Sequence, residues 1–412
     1  MDKIELKQEF IDQASTLARG CEVLPGGINE LAKKLQKSKE SNKPLRVKLG
    51  MDPSRPDLHL GHSVVMRKLK QFQDLGHKIV LIVGGATAMI GDPSGKSDTR
   101  PSLTKEQVDE NAKSYFDQMS RVVDITSAEV VNNADWLHKM NLLDIIQLSS
   151  KVTVAQIMAR DDFAKRYQEG KPISIHEFFY PLMQAFDSVE VDSDIELGGT
   201  DQRFNVLLGR EIQSAYGKED PQMVMLLPLL EGTDGVIKMS KSYPEHCVSI
   251  CEEPKDMYGK LMSIPDELIT RYYSLLTDIS NSELDELKNK LASSNPRDIK
   301  MKLAYSIVKM YHSNDAAELA QNEFVNVVQN KGIPQDIPEL VIDTSISLID
   351  IIVNNNLAPS KGEAKRLFAA GAIKIDSNKQ SDINYIVSQE SLPVVIQVGK
   401  RKFLKVVRNE NI

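Results

Sequence analysis

Two short stretches carry side chains whose types and spacing suit phosphate chemistry. The first is GVIKMSKSYPE, from Gly235 to Glu245, where Lys238 and Lys241 stand three apart among Ser240, Ser242 and Tyr243. The second is PDLHLGH, in which His59 and His62 bracket Leu60 and Gly61. Two ammonium groups on a loop of small hydroxyl residues can close over a polyanion. Two imidazoles at the start of a helix can donate to phosphate oxygens, where free N–H groups and the helix dipole already favour negative charge. A lysine pair alone also describes a solvated basic turn, and either histidine can simply cap a helix. No third ligand lies near the histidines in the chain, which disfavours zinc. Gly61 would let a nucleotide lie close to the backbone.

More candidate groups lie between these stretches. GDPSGKSDTR, from Gly91 to Arg100, holds Asp92, Lys96 and Arg100. YPLMQAFD sets Tyr180, Gln184 and Asp187 at i, i+4 and i+7, so on a helix they share a face. A phenol, an amide and a carboxylate on one face suit an amphiphilic ligand; a solvated surface has the same composition. LGGTDQRFN places two glycines ahead of Asp201 and Gln202.

The elements that must position these groups read as a βαβ unit. LRVKLGMD is a short apolar run ending in turn chemistry. In SVVMRKLKQFQDLGH, Val65, Leu69 and Phe72 recur at helical spacing, with Gly76 placed to close the helix. KIVLIVGG follows as a buried strand. Such a unit predicts a parallel sheet with a right-handed crossover. Residues 105–170 read as mostly helical, MVMLLPLLEG as a strand, and 254–331 as helical again. GIPQDIPEL, with Pro334 and Pro338, reads as a linker into a compact α/β tail.

With 412 residues, 41% of them hydrophobic and 26% charged, the chain can bury a sizeable core without disulfide staples. Its net charge of −7 is unevenly spread: from Ile351 onward ten bases face five acids. A basic terminal module on an acidic body points to a polyanionic partner. Cys21, Cys247 and Cys251 are odd in number and lack CxxC spacing, which fits a reducing compartment. The mixed-charge start MDKIELKQEF reads as neither a signal nor a transit peptide, and no apolar run reaches membrane-spanning length.

PDLHLGH followed by KMSKS, on a parallel α/β sheet, resembles the paired signatures of class I aminoacyl-tRNA synthetases. The intervening segments resemble the tyrosyl-tRNA synthetase family, in the bacterial subgroup whose strand before the histidines reads KLGxDP. The tail is similar to a small RNA-binding module, through Ser360-Lys361, Glu363-Ala364, Arg366-Leu367 and AGAIKI. The resemblance implies a Rossmann-like parallel-sheet catalytic domain over 1–245, with a helical dimerisation insertion at about 105–190. A helical anticodon-binding region (246–331), a linker (332–344) and a small α/β RNA-binding domain (345–412) would follow.

The implied reaction activates L-tyrosine with ATP and transfers it to tRNA(Tyr). ATP would bring its own Mg2+, with no protein-bound metal. His59, His62, Ser54, Lys96, Arg100, Lys238 and Lys241 would meet the phosphates. Asp92, Tyr180 and Gln184 would hold the α-ammonium, Asp187 the phenol O–H and Gln202 the carboxylate. Gly61, Gly199, Asp201 and Lys241 would bind ATP, with Gly199 and Asp201 on the ribose. Lys361, Lys365, Arg366, Lys374 and the GKRKFLK cluster would contact tRNA phosphates. A cytoplasmic homodimer without membrane contact is implied, with Ile175 and Phe178 as candidate apolar contacts between subunits. The better-known bacterial subgroup has a tyrosine and a cysteine where this chain has Lys48 and Leu49. A salt bridge from Lys48 to Asp187 is one expectation for that exchange.

Overall fold

The βαβ pattern matures into a six-stranded sheet. A computed structural model describes residues 5–53, 57–91, 104–329, 337–399 and 402–409. Ser54, Asp92, Lys96 and Arg100, residues 330–336 of the linker region, and Lys400 and Arg401 lie outside the described residues. Two compact units separate at Met1–Ala317 and Glu318–Ile412.

In the first unit the strands are β1 (Glu22–Leu24), β2 (Arg46–Met51), β3 (Lys78–Val83), β4 (Glu129–Asn132), β5 (Ile195–Gly199) and β6 (Met223–Leu227). Their order is β1-β6-β5-β2-β3-β4. β1 runs antiparallel to β6, and the other neighbours are parallel. The β-branched and apolar runs of β3 and β6 are almost wholly buried, as strands covered on both faces must be. Helix α1 (Leu60–Asp74) joins β2 to β3 and buries Leu69 and Phe72. Gly76, at φ +82°, makes the left-handed turn after it.

The chain leaves β2 toward β3 on one side and β5 toward β6 on the other. Between them β2 and β5 pair only at Val47↔Ile195 and Lys48↔Glu196, then part. Strands that diverge at such a switch point open a crevice beyond their carboxyl ends, where α/β sheets bind ligands. Helices α2 (Ile175–Glu190) and α3 (Arg203–Ala215) pack closely on each other and against this region.

At the base of the crevice, Lys48 Nζ donates to Glu196 Oε1 (2.9 Å), Ser188 Oγ (2.7 Å) and the Gln184 carbonyl (3.2 Å). All three ammonium protons are thereby satisfied. Glu196 Oε2 accepts from Ser188 Oγ and Gln222 Nε2. Lys48 therefore pairs with Glu196, not with Asp187, because register places Lys48 and Glu196 side by side.

The helices from Pro254 to Tyr311 belong to this unit. From α4 (Ile269–Leu276), Tyr272 donates to the Glu231 carbonyl (2.7 Å) and Arg271 to the Leu229 carbonyl (2.9 Å). They brace the root of the lysine loop. The stretch expected to be mostly helical, 105–170, contains β4 as the sheet's edge strand. Four residues are too few for a strand period to register against the helical segments around them.

The second unit has β7 (Glu339–Ile342), β8 (Ile346–Ser347), β9 (Ile373–Ile375), β10 (Asn378–Lys379), β11 (Ile386–Val387), β12 (Val394–Val398) and β13 (Lys402–Arg408). Five of them form a sheet in the order β10-β9-β12-β13-β7. Helices α5 (Leu348–Asn354) and α6 (Lys361–Ala369) cover it, with Leu348, Ile352, Phe368, Ile396 and Val406 in the shared core.

Gly209, inside α3, lies against the Lys48–Glu196 network. A Cβ there would sit 2.7 Å from Gln222 Nε2 and 2.8 Å from Ser188 Oγ. Gly209→Ala should cost about 1–3 kcal/mol through overpacking, read as a lower urea midpoint. Gly259→Ala, with open space around its Cβ position, should instead be neutral or gain up to about 1 kcal/mol.

Candidate active site

The strand-to-helix turn after β2 builds one wall of the crevice. His59 is the N-cap of α1. Its Nδ1 accepts from Gly61 N (3.1 Å), and His62 Nδ1 accepts from His59 N (3.2 Å). With both Nδ1 atoms accepting, the ring proton of each neutral imidazole is on Nε2. Burial, reinforced by His62, Lys241 and Lys238, pushes His59 down to about 2; burial and Lys241 push His62 down to about 4. Both rings are therefore neutral Nε2–H donors at pH 7. A Cβ on Gly61 would meet the His59 ring at 2.9 Å, so glycine is what lets the imidazole fold back on its helix.

The opposite wall is the lysine loop. Met239 is buried, and its N–H donates to the Leu230 carbonyl (2.8 Å), pinning the loop midway between the lysines. Lys238 stands 3.6 Å from Asp201, and Lys241 stands 2.8 Å from Asp57. Beyond the loop the chain pairs with the histidine turn: Leu60 N donates to Val248 O (3.0 Å), and Ile250 N to Leu58 O (3.2 Å). The two sequence signatures are thus joined by backbone hydrogen bonds.

Between the walls lie two adjoining cavities. The deeper, of about 280 Å³, is lined by Tyr180, Gln184, Asp187 and Gln202, with Asp52, Thr87 and Leu49. The outer, of about 560 Å³, is lined by His59, Gly61, Asp201, Lys238 and Lys241. His62 and Gly199 border both. Every described residue expected to meet tyrosine, ATP or the leaving phosphates therefore faces one cleft.

In the deeper cavity Asp187 Oδ1 accepts from Trp136 Nε1 (2.9 Å), and Oδ2 accepts from Asn133 Nδ2 (3.2 Å). Burial raises this carboxyl from 3.8 to about 7, against the opposing pull of Lys48. Asn133 Nδ2 also donates to Thr87 Oγ1 (3.1 Å), which donates to Asp52 Oδ1 (2.8 Å). Asp52 Oδ2 in turn accepts from the Tyr180 hydroxyl (2.8 Å). Asn205 Nδ2 donates to both Gln184 Oε1 (2.9 Å) and Gln202 Oε1 (3.0 Å), and Arg160 donates to Asn205 Oδ1. The cavity thus offers a carboxyl with spare lone pairs together with a phenol, two amides and Asp52. That suits a compact ligand with a hydroxyl at one end and a charged group at the other.

The family model for class I tRNA synthetases (W and Y) matches residues 39–329, and that for the tyrosine–tRNA ligase SYY-like C-terminal domain matches 329–406. A tyrosine–tRNA ligase of Carboxydothermus hydrogenoformans is 48% identical over 408 residues, 97% of this chain and 98% of that one. Another, from Thermotoga maritima, is 53% identical over 368 residues, 89% of this chain and 91% of its own. The chain belongs to the tyrosine–tRNA ligase family. The crystal structure of the Archaeoglobus fulgidus tyrosyl-tRNA synthetase complexed with L-tyrosine shares the fold, with a TM-score of 0.62 at 21% identity over 76% of this chain and 99% of that one.

In this family member, Asn133, Trp136, Thr87, Asp52, Glu196, Asn205 and Asp57 join the site without having stood out in the sequence. Trp136, the chain's single tryptophan, was the available signal. The others are ordinary polar residues brought in by topology. The candidate RNA contacts lie in the second unit. Lys365 and Arg366 are exposed on α6, Lys374 is on β9, and Lys361 pairs with Asp350 (2.7 Å).

A carboxyl raised from 3.8 to about 7 in the fold holds its proton more tightly folded than unfolded. Its contribution to stability is full below pH 3.8 and is lost as pH rises through about 7. The melting temperature of Asp187→Asn relative to wild type should therefore improve between pH 5 and pH 8. A constant offset would show that Asp187 does not titrate in this window.

Proposed function

We propose that the chain is a tyrosine–tRNA ligase that joins L-tyrosine to ATP as tyrosyl-adenylate and then passes tyrosine to the 3′ end of tRNA(Tyr). The observation that carries this reading is Asp187, buried in the deeper cavity and held from two sides by Trp136 and Asn133. An ionised carboxylate has lone pairs left to accept a phenol O–H. Phenylalanine would leave those lone pairs without a donor, at a cost of about 1–3 kcal/mol and more for a charged group.

Tyr180, Gln184 and, from outside the described residues, Asp92 hold the α-ammonium in this reading, while Gln202 faces the carboxylate. A carboxylate oxygen attacks the α-phosphorus, the bond from that phosphorus to the bridging oxygen breaks, and pyrophosphate leaves. No protein nucleophile takes part, so positioning and charge stabilisation supply the rate. His59 and His62 donate their Nε2 protons to the phosphates. Lys238 and Lys241 exchange Asp201 and Asp57 for the pyrophosphate, and Ser54, Lys96 and Arg100, which lie outside the described residues, complete the phosphate contacts in this reading. Ammonium groups that engage mainly as the leaving group forms favour the transition state over the ground state. Gly61, Gly199 and Asp201 carry the nucleoside, and Mg2+ arrives with the ATP.

Transfer to tRNA draws on the basic second unit through Lys361, Lys365, Arg366 and Lys374, and it should weaken steeply with salt. Two copies acting together fit the first unit. Leu142, Leu143, Ile146, Val154, Tyr167 and Ile175 are all exposed, Ile175 at 76%, and cluster between residues 142 and 175. Phe178 instead packs edge-on against Phe163 within the chain, with ring centroids 5.1 Å apart. A reducing cytoplasm accords with three free cysteines.

Labelled pyrophosphate exchange across the amino acids tests the central reading. Exchange should depend on tyrosine, and exchange with tryptophan alone would overturn it. Asp187→Ala should lower kcat/KM for tyrosine far more than for ATP. Lys241→Ala should slow adenylate formation with little change in tyrosine Kd. For assembly, Leu143→Asp with Ile175→Asp should convert a dimer to a monomer in sedimentation analysis; wild type already monomeric would remove the dimer.

A further inference from the structure

Among the described residues Asp187 has no cation in contact, although it is buried and must act as an acceptor. The groups facing it come from four elements: Lys48 on β2, Glu196 on β5, Asn133 and Trp136 after β4, and its own helix α2. Asp52 is further off, reached through Asn133 and Thr87. Only Lys48 among these is positive. Its Nζ is fixed at 3.2 Å from the carbonyl of Gln184 and 2.7 Å from the hydroxyl of Ser188, the residues three before and one after Asp187 on α2. Lys48 and Glu196 are both essentially without solvent exposure, so little water screens the ammonium from the neighbouring carboxylate.

We propose that the Lys48–Glu196 pair is a positioning device for phenol recognition, in which the Lys48 ammonium, locked against α2 beside Asp187, favours the ionised form of that carboxyl without touching it. Glu196 has two parts in this. It anchors the ammonium, and it offsets much of the positive charge, so that Asp187 stays poised as an acceptor without gaining an ion-pair partner that would compete with the phenol. A direct Lys–Asp bridge would occupy the lone pairs the ligand needs. The proposal deepens the reading of Asp187 as the phenol's partner and rests on it for its consequence in substrate choice. The electrostatic part can be tested without any substrate.

The Trp136 indole donates directly to Asp187, and it is the only tryptophan in the chain. Intrinsic fluorescence of the full-length protein therefore reports ionisation of Asp187. The wild type should titrate with a midpoint near 7, and Asp187→Asn should abolish that transition. Lys48→Met should move the midpoint up by a pH unit or more, and Glu196→Gln should move it down. Opposite shifts from two ends of one ion pair are the signature of charge, since a merely structural pair would lose stability in both variants and move the midpoint in neither. If Lys48→Met alone fails to fold, Lys48→Met/Glu196→Leu replaces the pair with apolar groups of similar size, a kind of exchange that is often tolerated. Its midpoint should still lie above the wild type's, because Lys48 acts on Asp187 more strongly than Glu196 does.

The acid limb of kcat/KM for tyrosine should follow the same order, with a loss of about fivefold or more at pH 7 in Lys48→Met, while the KM for ATP stays level. Shifts of the same sign, or none, overturn the proposal. Fluorescence shifts as expected without tyrosine-dependent exchange in the wild type would leave the electrostatics standing and remove the phenol from it.

Discussion

The crevice depends on two strands that touch and then part. β2 and β5 share only two paired positions, and the second of these, Lys48 beside Glu196, is a fully buried ion pair. Such a pair stabilises little by itself, because desolvation offsets most of the attraction. It constrains geometry instead. With three protons committed to three acceptors, the lysine ties β2 to α2 and to β5 at one depth. Everything above that depth is cleft, and everything below is packed sheet. Gly209 keeps the adjoining helix clear of the same network.

Above this floor the site divides by the charge of its lining. The deeper cavity holds a buried carboxyl whose proton affinity is raised by loss of water. The outer cavity holds imidazoles driven neutral by burial and by the lysines across the gap. Burial acts in both, but the first is lined by carboxyls and the second by two ammonium groups. The first offers hydrogen-bond acceptors in a buried pocket; the second offers positive charge to an anion. The lysines rest on Asp57 and Asp201, which keeps two positive charges partnered before any anion arrives.

Much of this was legible in the sequence where the signal was local. PDLHLGH announces a helix start and KMSKS a polar loop, and Tyr180, Gln184 and Asp187 do share a cavity-facing side of one helix. The resemblance to the tyrosyl-tRNA synthetases holds over both units. What could not be read was set by contacts distant in sequence. Lys48 lies 148 residues from Glu196 and Trp136 lies 51 from Asp187, and no periodicity connects them. The expected Lys48–Asp187 bridge failed for that reason, since strand register decides the partner. β4 escaped notice because four residues carry too little pattern.

The hydrogen bonds from Leu60 to Val248 and from Ile250 to Leu58 have a consequence for how such a chain can vary. Together with the anchor at Leu230, they make the lysine loop a closed span with both feet nailed down. One residue gained or lost at either foot, or between Leu230 and its partner Met239, would slide the histidines out of step with the lysines.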